Sequence, residues 1–118
     1  MLDRSQIQED TEKTERETAV QDVLNDLHHL VGIQKTLDDL LDVQIRQREI
    51  EDVGISITAL KDGKSLFSVD FLKDKVLLRE HKATYSDTDY MTYGELESVK
   101  RKAREILRKA LDKPSDLQ

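Results

Sequence analysis

Hydrophobic residues in the first half of the chain recur at intervals of three and four positions, which predicts an amphipathic helix over about 17–52. This spacing corresponds to the a and d positions of a heptad repeat, as in a coiled coil. The repeat consists of Val20, Val23, Leu27, Leu30, Leu37 and Leu41. Flanking apolar residues widen the stripe, so we expect the helix to contact both a partner helix and a sheet.

The spacing changes to period two after this helix, which predicts β-strands. A first strand is predicted over 53–60 and a second over 65–72, because apolar and polar residues alternate in both. The dipeptide Asp62-Gly63 between them is a strong signal for a tight hairpin turn. The two strands are therefore expected to pair in an antiparallel hairpin.

A third strand is predicted over 75–85, after a second tight turn at Lys73-Asp74. Its charged stretch at 79–82 is typical of an edge strand that is protected from pairing with other chains. Residues 86–91 are almost entirely polar and are interpreted as a loop.

A second amphipathic helix is predicted after this loop, because Thr92 and Glu95 have the spacing of a capping box and Pro114 ends the helical pattern. One face of this helix is apolar and the other is rich in lysine and arginine. The apolar face consists of Leu96, Val99, Ala103, Ile106, Leu107, Ala110 and Leu111.

The element order predicts an α+β fold: a long N-terminal amphipathic helix, a three-stranded antiparallel β-meander and a C-terminal amphipathic helix, as an α-β-β-β-α two-layer sandwich. We expect a flexible polar segment over 1–17, one domain over 18–113 and a tail over 114–118. The first helix would be about 54 Å long. Three short strands cannot cover that length, so we expect a second copy to cover the rest.

The charge of the chain is unevenly distributed. Charged residues make up 37% of the 118 residues, against roughly 25% in an average protein, and the net charge is −6. Residues 1–52 carry 14 acids and 6 bases, whereas residues 95–113 carry 4 acids and 7 bases. Either both helices expose a solvated charged face, or the acidic and basic helices attract each other or partners of opposite charge.

Several classes of protein are disfavoured by the composition. The chain has no cysteine, which excludes disulfides, thiolate nucleophiles and iron–sulfur clusters. We see no signal peptide, no apolar run of membrane-spanning length, no serine nucleophile elbow and no phosphate-binding glycine loop. His28 and His29 are adjacent and lack the i, i+4 spacing of a helical zinc site. We therefore expect a cytoplasmic protein without membrane contact that is not an enzyme and has no cofactor or metal.

The leading functional hypothesis is a non-enzymatic interaction or regulatory protein. It would self-associate through the heptad residues, most simply as a homodimer, and bind a macromolecular partner, for which we expect a protein. One alternative is a nucleic-acid-associated protein whose C-terminal helix contacts phosphates. The residues for this contact are Lys100, Arg101, Arg104, Arg108 and Lys109. A second alternative is a small-ligand or cation binder that uses the carboxylates Asp38 and Asp42, or Asp87 and Asp89.

Overall fold

The computed structural model of the protein describes residues 4–37, 41–50, 54–82 and 84–112, and the side chains of its first helix from Glu15 onward. Two helices flank five strands in the chain. The elements are α1 Arg4–Leu37, β1 Val43–Ile50, β2 Gly54–Lys61, β3 Lys64–Leu72, β4 Val76–His81, β5 Ser86–Met91, a 3₁₀ turn Tyr93–Glu95 and α2 Leu96–Asp112. The strands form one antiparallel sheet in sequential order. The α+β class and the flanking helices are confirmed, but the predicted number of three strands is wrong.

The first helix begins and ends earlier in the sequence than the hydrophobic pattern predicts. It begins at Arg4, within the segment 1–17 that was expected to be flexible. Residues 4–16 contain no glycine or proline and are rich in Glu, Gln, Lys and Arg, which have high helix propensity. The predicted C-terminal part, up to residue 52, is not helical over 43–50, because that stretch forms β1.

Strand β1 pairs with β2 along its whole length, from Val43 opposite Lys61 to Ile50 opposite Gly54. The helical interpretation of this stretch rested on Leu37, Leu41 and Ile45, which lie four residues apart. Pairing with β1 provides hydrogen-bond partners for the backbone groups along one edge of β2. This tertiary interaction outweighs the helical spacing of the apolar residues in this stretch.

Strand β5 occupies the stretch that was interpreted as a loop. Its six residues pair with β4, so the charged end of β4 is not at the edge of the sheet, contrary to the sequence interpretation. Only Met91 is buried among them. The polar composition is that of a sheet edge, and β5 is the edge strand that β4 was expected to be.

Both predicted tight turns are present. Asp62 and Gly63 have positive φ angles of 53° and 80°, as required at the two central positions of a type I′ hairpin turn. The second turn is closed by the backbone N–H of Leu72, which donates to the carbonyl of Lys75 at 2.9 Å. Leu66 is the extra residue of a β-bulge in β3, and its side chain packs against the core.

The hydrophobic core lies between the two helices and one face of the sheet. The central strands contribute Ile57, Phe67, Val69, Phe71 and Leu78, all of which are buried. From Glu15 onward, the buried side chains of α1 fall between residues 19 and 31, and those of α2 are Val99, Ala103, Leu107 and Leu111. In the described part of the chain, neither helix is long and apolar enough to cross a membrane.

Polar contacts hold both ends of α2. Glu95 closes the predicted capping box, because its carboxylate accepts a hydrogen bond from the Thr92 backbone N–H at 3.2 Å. The Tyr93 hydroxyl donates to the carbonyl of Leu72. Burial raises the pKa of Tyr93 to about 12.

At the C-terminal end of α2, Lys61 Nζ donates to the Ala110 carbonyl at 2.6 Å, where a cation also complements the helix dipole.

Raising the pH should destabilise the fold through Tyr93. An unfolded tyrosine ionises near pH 10, whereas folded Tyr93 has a pKa of about 12, so the unfolded state loses its proton first. The stabilisation is complete below about pH 10 and is lost as the pH rises through about 12. Urea unfolding of the wild type and of Tyr93→Phe measures it, and their stability difference should shrink over this range. A difference independent of pH would contradict this assignment.

Gly54→Ala should destabilise the protein by roughly 3 kcal/mol, at the upper end of ordinary overpacking costs. A methyl carbon at Gly54 would overlap the backbone carbonyl oxygen of Phe71 and lie 3.2 Å from the Leu72 Cα, and strand backbone cannot easily move away. Gly32→Ala is the matched control, since nothing lies within 4 Å there. This control should gain about 1 kcal/mol of helix propensity. Equal unfolding midpoints in urea for the two variants would refute the argument.

Candidate functional site

Most residues predicted for self-association pack inside the chain itself. Val20, Val23 and Leu27 have exposed fractions of 1%, 0% and 1%, and they lie in the core beneath the sheet. Leu30 and Leu41 are half-buried against the same core. The sixth residue, Leu37, is 76% exposed. Of the six, only Leu37 therefore offers most of its side-chain surface to another molecule.

Two of the bases predicted to contact phosphate form ion pairs with α1. Lys100 Nζ lies 3.8 Å from Asp22 Oδ2, and Arg104 Nε lies 3.3 Å from Asp26 Oδ2. Lys100 also contacts Glu97 at 3.0 Å, and the hydrogen bond to Glu97 raises the pKa of Lys100. The acidic and basic helices therefore attract each other within one chain.

The remaining predicted bases of α2 lie on its solvent side. Arg101, Arg108 and Lys109 are exposed, and none has an ion pair with another described residue. Lys102 was not part of the predicted set, and its Nζ lies 3.2 Å from Asp89 Oδ2 on β5. The predicted bases of α2, which we call the basic strip, therefore form two groups. Lys100 and Arg104 are paired with α1, and the other three face solvent without an ion pair to a described residue.

A polar cleft of about 380 Å³ lies between α2 and the outer strands of the sheet. Charged side chains of both signs line it, so the cleft has no strong preference for anions or cations. The ion pair of Lys102 with Asp89 lies at this cleft, and Lys82 pairs with Glu80 at 2.8 Å. Hydrogen bonding to Glu80 raises the pKa of Lys82.

No group of three potential metal ligands comes together in the described part of the chain. The carboxylates Asp87 and Asp89 lie on β5, where Asp89 is engaged by Lys102. Asp38, the other candidate considered with Asp42, lies outside the described residues. A cation site is therefore not assembled from the described members of the predicted set.

The sheet face opposite the helices is a surface that the sequence analysis did not predict. Side chains alternate between the two faces of a sheet, so the strand neighbours of the core residues point to this face. We call this surface the open face. Two rows of cross-strand partners define it. The first row is Arg46, Thr58, Ser68, Arg79 and Thr88, and the second is Arg48, Ser56, Asp70, Leu77 and Tyr90.

On the open face, long cationic side chains lie around a centre of short polar side chains. Ser56 and Ser68 are buried although they point away from the helices, because longer side chains surround them. Ser56 Oγ donates to Asp70 Oδ1 at 2.7 Å. Tyr90 at the β5 edge is 70% exposed, and Lys75 Nζ lies 5.8 Å from the centre of its ring. The alternation of apolar and polar residues in β2 and β3 indicates this face in the sequence. Its full width was not predicted, because β1 and β5 were not identified as strands.

Comparison of the chain with known protein families, curated proteins and solved structures gives no match.

Arg104→Met should destabilise the fold by about 1 kcal/mol. The change removes the cation from beside a carboxylate oxygen of Asp26 that is buried from solvent, while it keeps the apolar stem of the side chain. Side-chain exposures of 37% and 28% place this pair between surface and buried ion pairs. The free energy of unfolding in urea measures the effect.

Arg108→Met is the matched control, since Arg108 lies one turn later on the same helix and is exposed. It should change stability by less than about 0.5 kcal/mol. Equal losses in both variants would show that the pair with Asp26 contributes nothing beyond the general effect of removing an arginine.

Proposed function

We propose that this protein is a non-enzymatic interaction protein that self-associates through the uncovered end of α1 and binds a macromolecular partner with its remaining surface. The observation that supports this proposal is the mismatch between α1 and the core. The helix has 34 residues, about 51 Å at 1.5 Å per residue, and among its described side chains, from Glu15 onward, those that are buried lie between 19 and 31. The molecule is correspondingly elongated, with extents of 63, 31 and 24 Å.

Two aliphatic side chains lie next to each other at this uncovered end. Ile33 and Leu37 are four residues apart, so they share one helix face, and they are 51% and 76% exposed. The other large hydrophobic side chains that are exposed in the described residues are two tyrosines, Tyr85 and Tyr90. Burying a fully exposed aliphatic side chain stabilises by roughly 1.5–3 kcal/mol, and these two would gain the part that corresponds to their exposed fractions, so this end of α1 favours association.

A second copy of the chain is the occupant that the helix favours. Leu30, Ile33 and Leu37 have the i, i+3, i+7 spacing with which identical helices pack against each other. The stretch 4–37 carries seven acids and four bases, so two copies of α1 repel each other electrostatically. Salt screens this repulsion. Self-association should therefore become tighter as the salt concentration rises, whereas binding to a basic partner would weaken.

Ile33→Lys combined with Leu37→Lys should shift the protein from dimer to monomer, because the change buries charge in the proposed contact. Sedimentation equilibrium at low and high salt measures the oligomeric state. Both positions are exposed, so the melting temperature of the monomer should be nearly unchanged.

The matched control carries lysine at exposed polar positions of the same helix, Asn25→Lys with His28→Lys. It should dimerise as the wild type does. A wild type that is monomeric at high protein concentration and high salt would end the proposal, and so would equal dissociation of both double variants.

Nucleic-acid binding through α2 is a weaker second proposal. Its support is the exposure of Arg101, Arg108 and Lys109. Lys100 and Arg104 are held by α1, so the helix offers fewer free cations to phosphates than its sequence suggests.

A further inference from the structure

We propose that the open face binds single-stranded nucleic acid, with phosphates on its arginines and a base stacked on Tyr90. This site is separate from the uncovered end of α1 and from the basic strip of α2. Its members come from all five strands, with arginines on β1 and β4 and the aromatic side chain on β5.

The arginines of the open face are not neutralised within the described chain. Arg46, Arg48 and Arg79 have no carboxylate within 4 Å among the described residues, whereas Lys100 and Arg104 of α2 do. Arg46 instead donates two hydrogen bonds to Gln44 Oε1, at 2.8 and 3.2 Å, which orient its guanidinium without cancelling its charge. Guanidinium groups match the oxygens of phosphate in a bidentate geometry.

The geometry of the sheet suits an extended polyanion. Neighbouring strands are about 4.8 Å apart, so Arg46 on β1 and Arg79 on β4 are separated by roughly 14 Å, and Arg48 lies about 7 Å from Arg46 along β1. Between Arg46 and Arg79 lie the short side chains of Thr58 and Ser68, of which Thr58 is partly exposed and Ser68 is buried. The Thr58 hydroxyl is a suitable hydrogen-bond donor for phosphate and sugar oxygens.

Tyr90 supplies the stacking surface that the basic helix lacks. It is 70% exposed and lies on the open face at the β5 edge, opposite Leu77. Lys75 lies over its ring at 5.8 Å, so a cation accompanies the aromatic group. A base of any identity can stack on such a ring, which predicts binding without strong sequence preference.

Single strands fit this face better than duplexes or acidic peptides. In a duplex the faces of the bases are covered by stacking on their neighbours, whereas a single strand leaves them free to stack on Tyr90. An acidic peptide would use the arginines but has no need of Tyr90. Asp70 carries the one negative charge in the two rows, and it lies in the second row, where Ser56 donates to it. Phosphates are therefore expected along the first row, from Arg46 to Arg79, and at Arg48, which lies two strands away from Asp70 in the second row.

The test is fluorescence anisotropy with a labelled oligothymidylate of about 12 nucleotides, a length within known single-strand site sizes. The wild type should bind at about 50 mM salt and weaken as salt is added. The triple variant Arg46→Gln, Arg48→Gln, Arg79→Gln should lose roughly tenfold or more in affinity. Its plot of log affinity against log salt should be shallower by about 2, at roughly 0.7 per phosphate contact.

Tyr90→Ala tests the stacking contact without changing any charge. It should lower affinity by about five- to hundredfold and leave the salt dependence unchanged, whereas Tyr90→Phe should bind as the wild type does. The comparison variant is Arg101→Gln, Arg108→Gln, Lys109→Gln, which removes the three exposed cations of α2 on which the second proposal rests and so discriminates between the two surfaces. This variant should retain most of the affinity.

Four results would overturn the proposal: no binding at about 50 mM salt, equal losses from the sheet and helix triple variants, no effect of Tyr90→Ala, or equally tight binding of a duplex of the same length. Competition by polyglutamate as effective as that by unlabelled oligothymidylate would assign the face to an acidic peptide instead. Far-ultraviolet circular dichroism of each variant verifies that the fold is intact.

Discussion

Burial of one face of the sheet by two helices is the constraint on which the rest of this molecule depends. The core side chains of β2, β3 and β4 are almost completely removed from water, and the stretch 19–31 of α1 lies over them together with α2. Two ion pairs between α1 and α2, at Asp22 and Asp26, lie at the seam where the helices meet. Apolar burial supplies most of the attraction, and the opposite charges of the helices favour their pairing side by side.

This one-sided packing also decides which charges face other molecules. The helices approach each other closely enough to neutralise part of the basic strip of α2, whereas the arginines of the open face have no acidic helix opposite them. The same packing occupies only part of α1, so the helix extends past the core and exposes Ile33 and Leu37. The proposed dimer contact and the proposed nucleic-acid surface are thus both consequences of what the helices leave uncovered.

The candidate surfaces were only partly accessible from the sequence. Helical spacing correctly predicted that Val20, Val23 and Leu27 lie on one apolar face, but it could not say whether that face packs on the chain's own sheet or on a second copy. A tertiary contact decides that question, since both environments are equally apolar. Arg46 and Arg48 were not predicted as site residues, because the stretch that contains them was interpreted as helix. In a helix they would not share a surface with Arg79.

The sequence by itself determined the local elements of this protein: the Asp62-Gly63 turn, the alternation of β2 and β3, the capping box at Thr92 and the apolar face of α2. Each depends on residues within a few positions of one another, so the signal is complete in a short window. Only the tertiary structure decided that β1 and β5 are strands, because their polar sequences become strands through hydrogen bonds to β2 and β4. It likewise decided which cations are paired, since the two ion pairs between the helices join residues 78 positions apart in sequence and depend on how the helices pack.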